Sequence, residues 1–425
     1  MKRIRTIRLK GCDLDKRLSE EKNVSFFLEP EYVYYPLKDF VFLKKIDDYV
    51  FEGDAILKSS KFDLYVNSSV SGYVISTDEL MYDKSGNLEK FIKIKNDFKN
   101  NKCYEKRINI INSKNDLIKL CKEKGIVGLG GGAFPTYLKL QSENVRDLIV
   151  NACECEPFLT CDYKLILEKS RQIIEILNLI RTIMNYDNIF IAIKKNKINA
   201  IKLLEKEIIS MNLKEYIKIK TVEDTFPVGY EKYLVNKILN KDYKTRPAEA
   251  LAIVLNIATV YSIYEAVMFN KPLIERLVTV SGYSIKNPKN VYIKIGTCFK
   301  ELIKEIDGYI EEESANYLIA GGAMTGNSIK SESLVFTPGL SQVTVLSRKK
   351  NELELACMGC GKCNYYCPSN LNPYLIKLYF KDLDMLYDLR ADKCVSCNIC
   401  SYVCPSRIEL SYFASKAKDK IRRGK

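Results

Sequence analysis

The sequence predicts a multidomain α/β protein, and three observations carry the prediction. Short strand-like runs separated by turns occupy residues 33–76. Apolar strand-like runs then alternate with helical patterns through the middle of the chain. Eight of the fifteen cysteines fall in two matching runs after residue 356. A length of 425 residues allows two to four domains, and an apolar content of 47% is ample for buried cores.

The opening "MKRIRTIRLK" is basic but lacks the apolar stretch of a secretory signal, so none is expected. From Val33 to Ser76, strand-like stretches such as "VYYP" and "SGYVIS" alternate with turns. The run "GIVGLGGGAFPTYLKL" (Gly125 to Leu140) then places five glycines within eight residues. By itself it is compatible with either a plain turn or a backbone cradle for an anion, with Lys139 adding charge. It precedes a strand and follows a helical stretch, which is not the strand–glycine–helix order of a dinucleotide fingerprint.

"DLIVNA", "NIFIAIKK", "YIKIKTV" and "LAIVLN" read as buried strands, with helices predicted from Tyr163 and from Ile198 between them. That order predicts a largely parallel sheet, which binds ligands at the carboxyl ends of its strands. "NACECEP" directly follows the strand "LIV", putting Asn151, Glu154 and Glu156 at such an end. The apolar run Ala250–Phe269 contains Asn256 and Glu265 and is short for a bilayer span, so it reads as strand then helix. Residues Leu277–Gly308 read as strand, turn, strand, helix, with the "GGAMTG" run at Gly321–Gly326 expected in a turn beside them.

The cysteines carry the most specific signal. Cys357, Cys360, Cys363 and Cys367, and again Cys394, Cys397, Cys400 and Cys404, follow C-x2-C-x2-C-x3-C-P, the spacing for paired 4Fe–4S clusters. Three thiolates on one tight loop reach three corners of a cluster, and the fourth leads away to the other. This assigns Cys357, Cys360, Cys363 and Cys404 to one cluster, and Cys394, Cys397, Cys400 and Cys367 to the second. Disulfides and structural zinc fit less well, because there is no secretion signal and zinc ribbons do not use this repeated spacing. Leucines 375, 378, 383, 386 and 389 predict helix between the motifs. Of the remaining cysteines (12, 103, 121, 153, 155, 161 and 298), most are expected to be small buried apolar residues.

The chain contains no histidine, which excludes Rieske centres, histidine-ligated haem, Cys2His2 zinc and an imidazole base. The net charge of +14 is mostly lysine spread along the chain. No arginine-rich tract accompanies it, so no nucleic-acid partner is expected.

"GIVGLGGGAFPTYLKL", "NACECEPFLTCDYKLILE", "FPVGYEKYLV", "NIATVYSIYEAV" and "KPLIERLVTVSG", followed by the twin cysteine motifs, resemble the C subunit of the Rnf-type ion-translocating electron-transport complex. The likeness runs in order over nearly the whole chain. More distantly, the central part resembles the NADH-binding flavoprotein subunit of respiratory complex I. The resemblance implies an N-terminal lipoyl-like β barrel-sandwich (1–100) and a Rossmann-like FMN/NADH domain (101–272). It further implies a β-grasp module (273–350) and a helical dicluster ferredoxin domain (351–425). It implies FMN, NAD(H) and two 4Fe–4S clusters as cofactors. FMN would be held by Gly128, Gly130, Gly131, Lys139, Asn151, Glu154, Gly229, Glu231, Asn256 and Thr259. Phe134 would stack on the nicotinamide nucleotide, with Glu156 near its ribose. Where the family reads G-G-A-G-F-P-T, this chain has "GGGAFPT", so Ala133 is strained if that position needs positive φ. Implied partners are the other subunits of a membrane-bound complex and, indirectly, ferredoxin, with the chain peripheral on the cytoplasmic face of the cell membrane. Two other functions compete with this one: a cobalamin reductase of the same superfamily, and a flavin-free iron–sulfur wiring module.

Overall fold

The computed structural model describes residues 7, 16–105, 108–312, 315–347 and 353–424, and its central unit is a four-stranded parallel sheet. The strands lie in the order Ile217–Val222, Asn188–Lys194, Asp147–Ala152, Ala252–Asn256. These strands read as unbroken apolar runs because both faces are covered. Leu148 and Val150 pack into the same core as helices Cys161–Met184 and Ile257–Phe269. Ile149 points the other way, into a core shared with Leu234 and Val235 of helix Glu231–Leu239. The apolar run Ala250–Phe269 divides at Asn256, which ends a strand and caps the next helix by accepting the Ala258 N–H. Among the described residues no helix is long and apolar enough to cross a membrane.

Two small sheets precede this unit. Strands Tyr32–Pro36, Leu88–Asn96, Gly72–Tyr82 and Tyr49–Val50 form one, and Phe40–Phe42, Ala55–Ser59 and Tyr65–Asn67 the other. They share a core of Val33, Tyr35, Val50, Ile56, Leu57 and Ile94. A six-stranded mixed sheet follows, in which Glu275–Ser281 pairs with Lys289–Lys294 and with Gln342–Ser347. One outer strand is Ser25–Phe27, which pairs in parallel with Lys289–Lys294 although it lies far upstream in sequence. Buried Lys294 joins these parts, reaching Glu52 and Glu275 at 2.8 Å each.

The cysteine-rich end is a set of short helices around Ile376, Leu386, Ala391, Ala417 and Ile421. The helix predicted across residues 375–389 is instead two, Pro373–Leu378 and Leu383–Asp388. The break has a local cause: the Asp382 carboxylate accepts the Met385 N–H and starts the second helix as its N-cap. The expected boundary at 350/351, and Cys12, lie outside the described residues.

Candidate functional site: a glycine-walled cleft beside two cysteine groups

The glycine loop closes on itself. The Gly128 N–H donates to the Phe134 carbonyl at 2.8 Å, and the Ala133 N–H donates to the Gly128 carbonyl at 3.1 Å. Thr259, in the first turn of helix Ile257–Phe269, accepts the Leu129 N–H at 2.9 Å. A Cβ on Gly130 would press on Asn256 at 3.2 Å, so glycine lets the loop lie against the strand end. A Cβ on Gly131 or Gly132 would meet nothing within 4 Å.

Ala133 has φ +47°, so the exchanged residue does sit in the left-handed region. A non-glycine residue there costs about 1–2 kcal/mol. Ala133→Gly is therefore expected to stabilise the protein by about 0.5–1 kcal/mol, once the extra freedom of glycine in the unfolded chain is subtracted. Urea unfolding at constant m-value is the check, with Gly132→Ala close to neutral because its Cβ has free space.

The loop faces a cleft of about 320 Å³. Among the sequence-predicted residues, Gly130, Gly131, Asn151, Glu154, Glu156, Gly229 and Asn256 line it. Gly128, Phe134, Lys139, Glu231 and Thr259 stand outside that lining. Lys139 forms an ion pair with Glu231 and donates to the Val254 carbonyl at 2.9 Å. Phe134 is partly exposed and meets Phe62 edge-on, with ring centroids 6.1 Å apart.

At the end of strand Asp147–Ala152 the Asn151 amide donates to the Gly229 carbonyl at 2.8 Å. Glu154 is buried with φ +39°, a strained backbone of the kind concentrated at functional sites. Its Oε1 accepts the Asp162 N–H at 2.6 Å, and Lys16 donates to its backbone carbonyl at 2.6 Å. Burial raises the pKa of Glu154 against the pull of Lys16 and Lys197. Burial also pushes the Asp162 carboxyl up to about 7, with Glu154 adding to the rise. The Asn256 amide donates to Asp162 at 2.6 Å.

Glu156 is held against the opposite wall: it accepts the Met324 N–H at 3.0 Å and the Thr325 hydroxyl at 2.5 Å. The run Gly321–Gly326 is indeed a turn, but it also forms one wall of the cleft. Three further lining residues carry no sequence signal for a place in the cleft. Asp162 follows the "NACECEP" motif without a role of its own, Lys84 belongs to a distant hairpin, and Cys155 reads only as a small buried apolar residue.

The cysteines gather in two groups. Cys367, Cys394, Cys397 and Cys400 line one small pocket. Cys363 lies near Cys404 and Cys357, and Cys357 and Cys360 are exposed. The sulfur of Cys367 accepts the Leu371 N–H at 3.3 Å, and that of Cys394 accepts the Ser396 N–H at 3.4 Å. Burial pushes the Cys397 thiol up to about 12, so it carries charge only against a metal. Cys397 and Ile399 pack with Phe226 and Met324, with Cys155 and Tyr230 alongside. The Tyr230 hydroxyl donates to the Val395 carbonyl, and the Asn398 amide donates to the Met324 carbonyl at 2.6 Å. One cysteine group therefore abuts the wall of the cleft.

The volume of the cleft is at the small end for ligand pockets, and Gly130, Gly131 and Gly132 donate no hydrogen bond among the described residues. Residues 121–265 match the family model of the Nuo51 FMN-binding domain, and residues 356–408 that of a 4Fe–4S dicluster domain. Fold and site thus define an iron–sulfur flavoprotein, an oxidoreductase component built for electron transfer. The chain is 31% identical to the C subunit of the proton-translocating ferredoxin:NAD(+) oxidoreductase complex of Clostridium ljungdahlii, over 86% of this chain and 82% of that one. It is 29% identical to the C subunit of the Na(+)-translocating complex of Acetobacterium woodii, over 86% and 84%. With the C subunit of the ion-translocating oxidoreductase complex of Rhodobacter capsulatus it shares 34% identity over 59% of this chain and 49% of the relative. The chain belongs to the family of C subunits of ion-translocating, Rnf-type oxidoreductase complexes.

Proposed function

We propose that this chain passes electrons between NAD(H) and two 4Fe–4S clusters through FMN, as the peripheral subunit of a ferredoxin:NAD+ oxidoreductase complex. The observation that carries the reading is the contact between the cleft wall and the buried cysteine group, through Cys155, Tyr230 and Val395. Bound FMN would supply the conversion between two-electron hydride chemistry and the single-electron chemistry of the clusters.

In this reading the loop offers the Gly130 and Gly131 N–H groups to the phosphate, while Gly128 closes the loop by donating to the Phe134 carbonyl and Thr259 braces it through Leu129. Asn151, Glu154, Gly229 and Asn256 surround the flavin, and Lys139, held by Glu231, closes the far side. Phe134 and Glu156 serve the nicotinamide nucleotide, and Glu156 must then exchange its bonds to Met324 and Thr325 for the ligand. Cys394, Cys397, Cys400 and Cys367 would hold the cluster nearer the flavin. Cys357, Cys360, Cys363 and Cys404 would hold the outer one, whose exposed rim includes Leu355 and Met358. That rim suits a further protein of the complex leading on to ferredoxin.

The domain limits 1–100, 101–272, 273–350 and 351–425 remain our proposal, with the 25–27 strand lent to the third unit. Two facing sheets over one core support the barrel-sandwich reading of the first, and helix Phe299–Glu305 against a mixed sheet supports the β-grasp reading of the third. In this reading the chain is a peripheral subunit on the cytoplasmic face of the membrane.

The test is the cofactor content of anaerobically purified protein together with NADH:ferricyanide activity. One FMN with eight irons and NADH oxidation is expected. Eight irons without flavin or NADH oxidation would indicate a wiring module instead, and cob(III)alamin reduction at comparable rates would favour the cobalamin reductase.

A further inference from the structure

The glycine loop is gripped from outside its own domain. Lys84, on the turn between strands Gly72–Tyr82 and Leu88–Asn96, donates its ammonium to the Gly131 carbonyl. Arg276, on strand Glu275–Ser281, donates Nη2 to the Leu129 carbonyl at 3.3 Å and Nη1 to the Pro338 carbonyl. Gly339 keeps the passage open, because a Cβ there would stand 2.5 Å from the Lys84 Nζ and 3.2 Å from the Gly131 oxygen.

Neither cation has a carboxylate within ion-pair distance among the described residues. Asp83, next to Lys84, is spent on its own turn, accepting the Ser85 and Asn87 N–H groups at 2.9 Å each. Burial and the proximity of Arg276 both lower the pKa of Lys84. Two like charges are thus brought together at the rim of a cleft, with Asp162 the carboxylate whose field reaches Arg276.

The peptide bonds of this loop are trans, the cis bond among the described residues being Phe226–Pro227. In a trans peptide the carbonyl of one residue and the N–H of the next point to opposite sides. Tying the Leu129 carbonyl to Arg276 therefore directs the Gly130 N–H away from Arg276, and tying the Gly131 carbonyl to Lys84 directs the Gly132 N–H away from Lys84. These amides have no partner within the described protein.

We propose that Lys84 and Arg276 are positioning residues that fix the glycine loop with its amides turned toward a nucleotide phosphate. The N-terminal and third units then complete a site that the flavin domain holds only in part. This inference rests on the flavin reading above and adds two residues and a phosphate-specific role to it.

The test compares binding of FMN and of riboflavin, which lacks the phosphate, to flavin-depleted protein by fluorescence quenching. The proteins compared are the full chain, Lys84→Met and Lys84→Arg, with circular dichroism confirming the fold. Lys84→Met is expected to weaken FMN about tenfold and leave riboflavin unchanged, with Lys84→Arg recovering most of the loss. That result assigns the phosphate to the flavin. Unchanged FMN affinity with a raised KM for NADH and unchanged kcat assigns it to the dinucleotide and also supports the proposal. Equal weakening of FMN and riboflavin, or no change in either FMN affinity or KM, overturns it. A wild-type chain that binds neither flavin overturns this inference and the flavin reading together.

Discussion

Cys397→Ala is expected to yield a protein whose flavin is reduced by NADH but whose remaining cluster is not, whereas Cys360→Ala keeps one rapidly reducible cluster. Each variant should lose four of eight irons, so iron content alone will not separate them. The separation comes from position. Cys397 is buried among Phe226, Met324 and Ile399, beside Tyr230 and Cys155 at the cleft wall. Cys360 is exposed. If electrons enter the cysteine-rich end through its buried group, removing that group strands the outer cluster. The measurement is the bleaching of iron–sulfur absorbance after anaerobic mixing with NADH. Dithionite serves as the control that the surviving cluster is present and reducible. Equal bleaching in both variants would refute the order, and bleaching confined to Cys397→Ala would reverse it.

What could be read from the sequence follows the range of the interactions. The cysteine motifs and the run from Gly125 to Leu140 are local, so spacing alone brings their groups within reach of one another. The central strands are legible because burial on both faces leaves unbroken apolar runs. The strain at Ala133 is legible as a condition, since glycine alone tolerates positive φ freely, and the observed +47° meets it. By contrast, Lys84 and the Gly321–Gly326 turn reach the cleft only through tertiary packing, and nothing in their local patterns marks them. Lys139 and Glu231 are both expected at the flavin, yet their first partner here is each other. Pairing between residues 92 positions apart is invisible to periodicity. The helix break at Asp382 shows the reverse error, where leucine spacing outweighs a capping residue that is in plain view.

The buried acids beneath the cleft make a second large prediction, and its sign follows from linkage. The Asp162 carboxyl is raised from 3.8 to about 7, chiefly by burial and then by Glu154. The folded chain therefore holds a proton that the unfolded chain releases between roughly pH 4 and 7. The stability tied to that proton is complete below the unfolded value and is lost as pH rises through about 7. Asp162→Asn keeps an acceptor for the Asn256 amide and removes the ionisation. It also relieves Glu154 of a like charge, leaving that carboxylate to the fields of Lys16 and Lys197. At one pKa unit per 1.36 kcal/mol, the flavin-free variant should exceed wild type at pH 8.5 by about 2–4 kcal/mol. The gap should shrink as pH falls below about 7 and close only near pH 4, where Asp162 is neutral in the folded and the unfolded chain alike. Urea unfolding at several pH values, with equal m-values, reads this directly. A variant whose stability tracks wild type across the whole range would mean that Asp162 is ionised in the fold. Arg276 and Lys16, its other charged neighbours, would then outweigh burial, and the cleft would carry a fixed negative charge under the glycine loop.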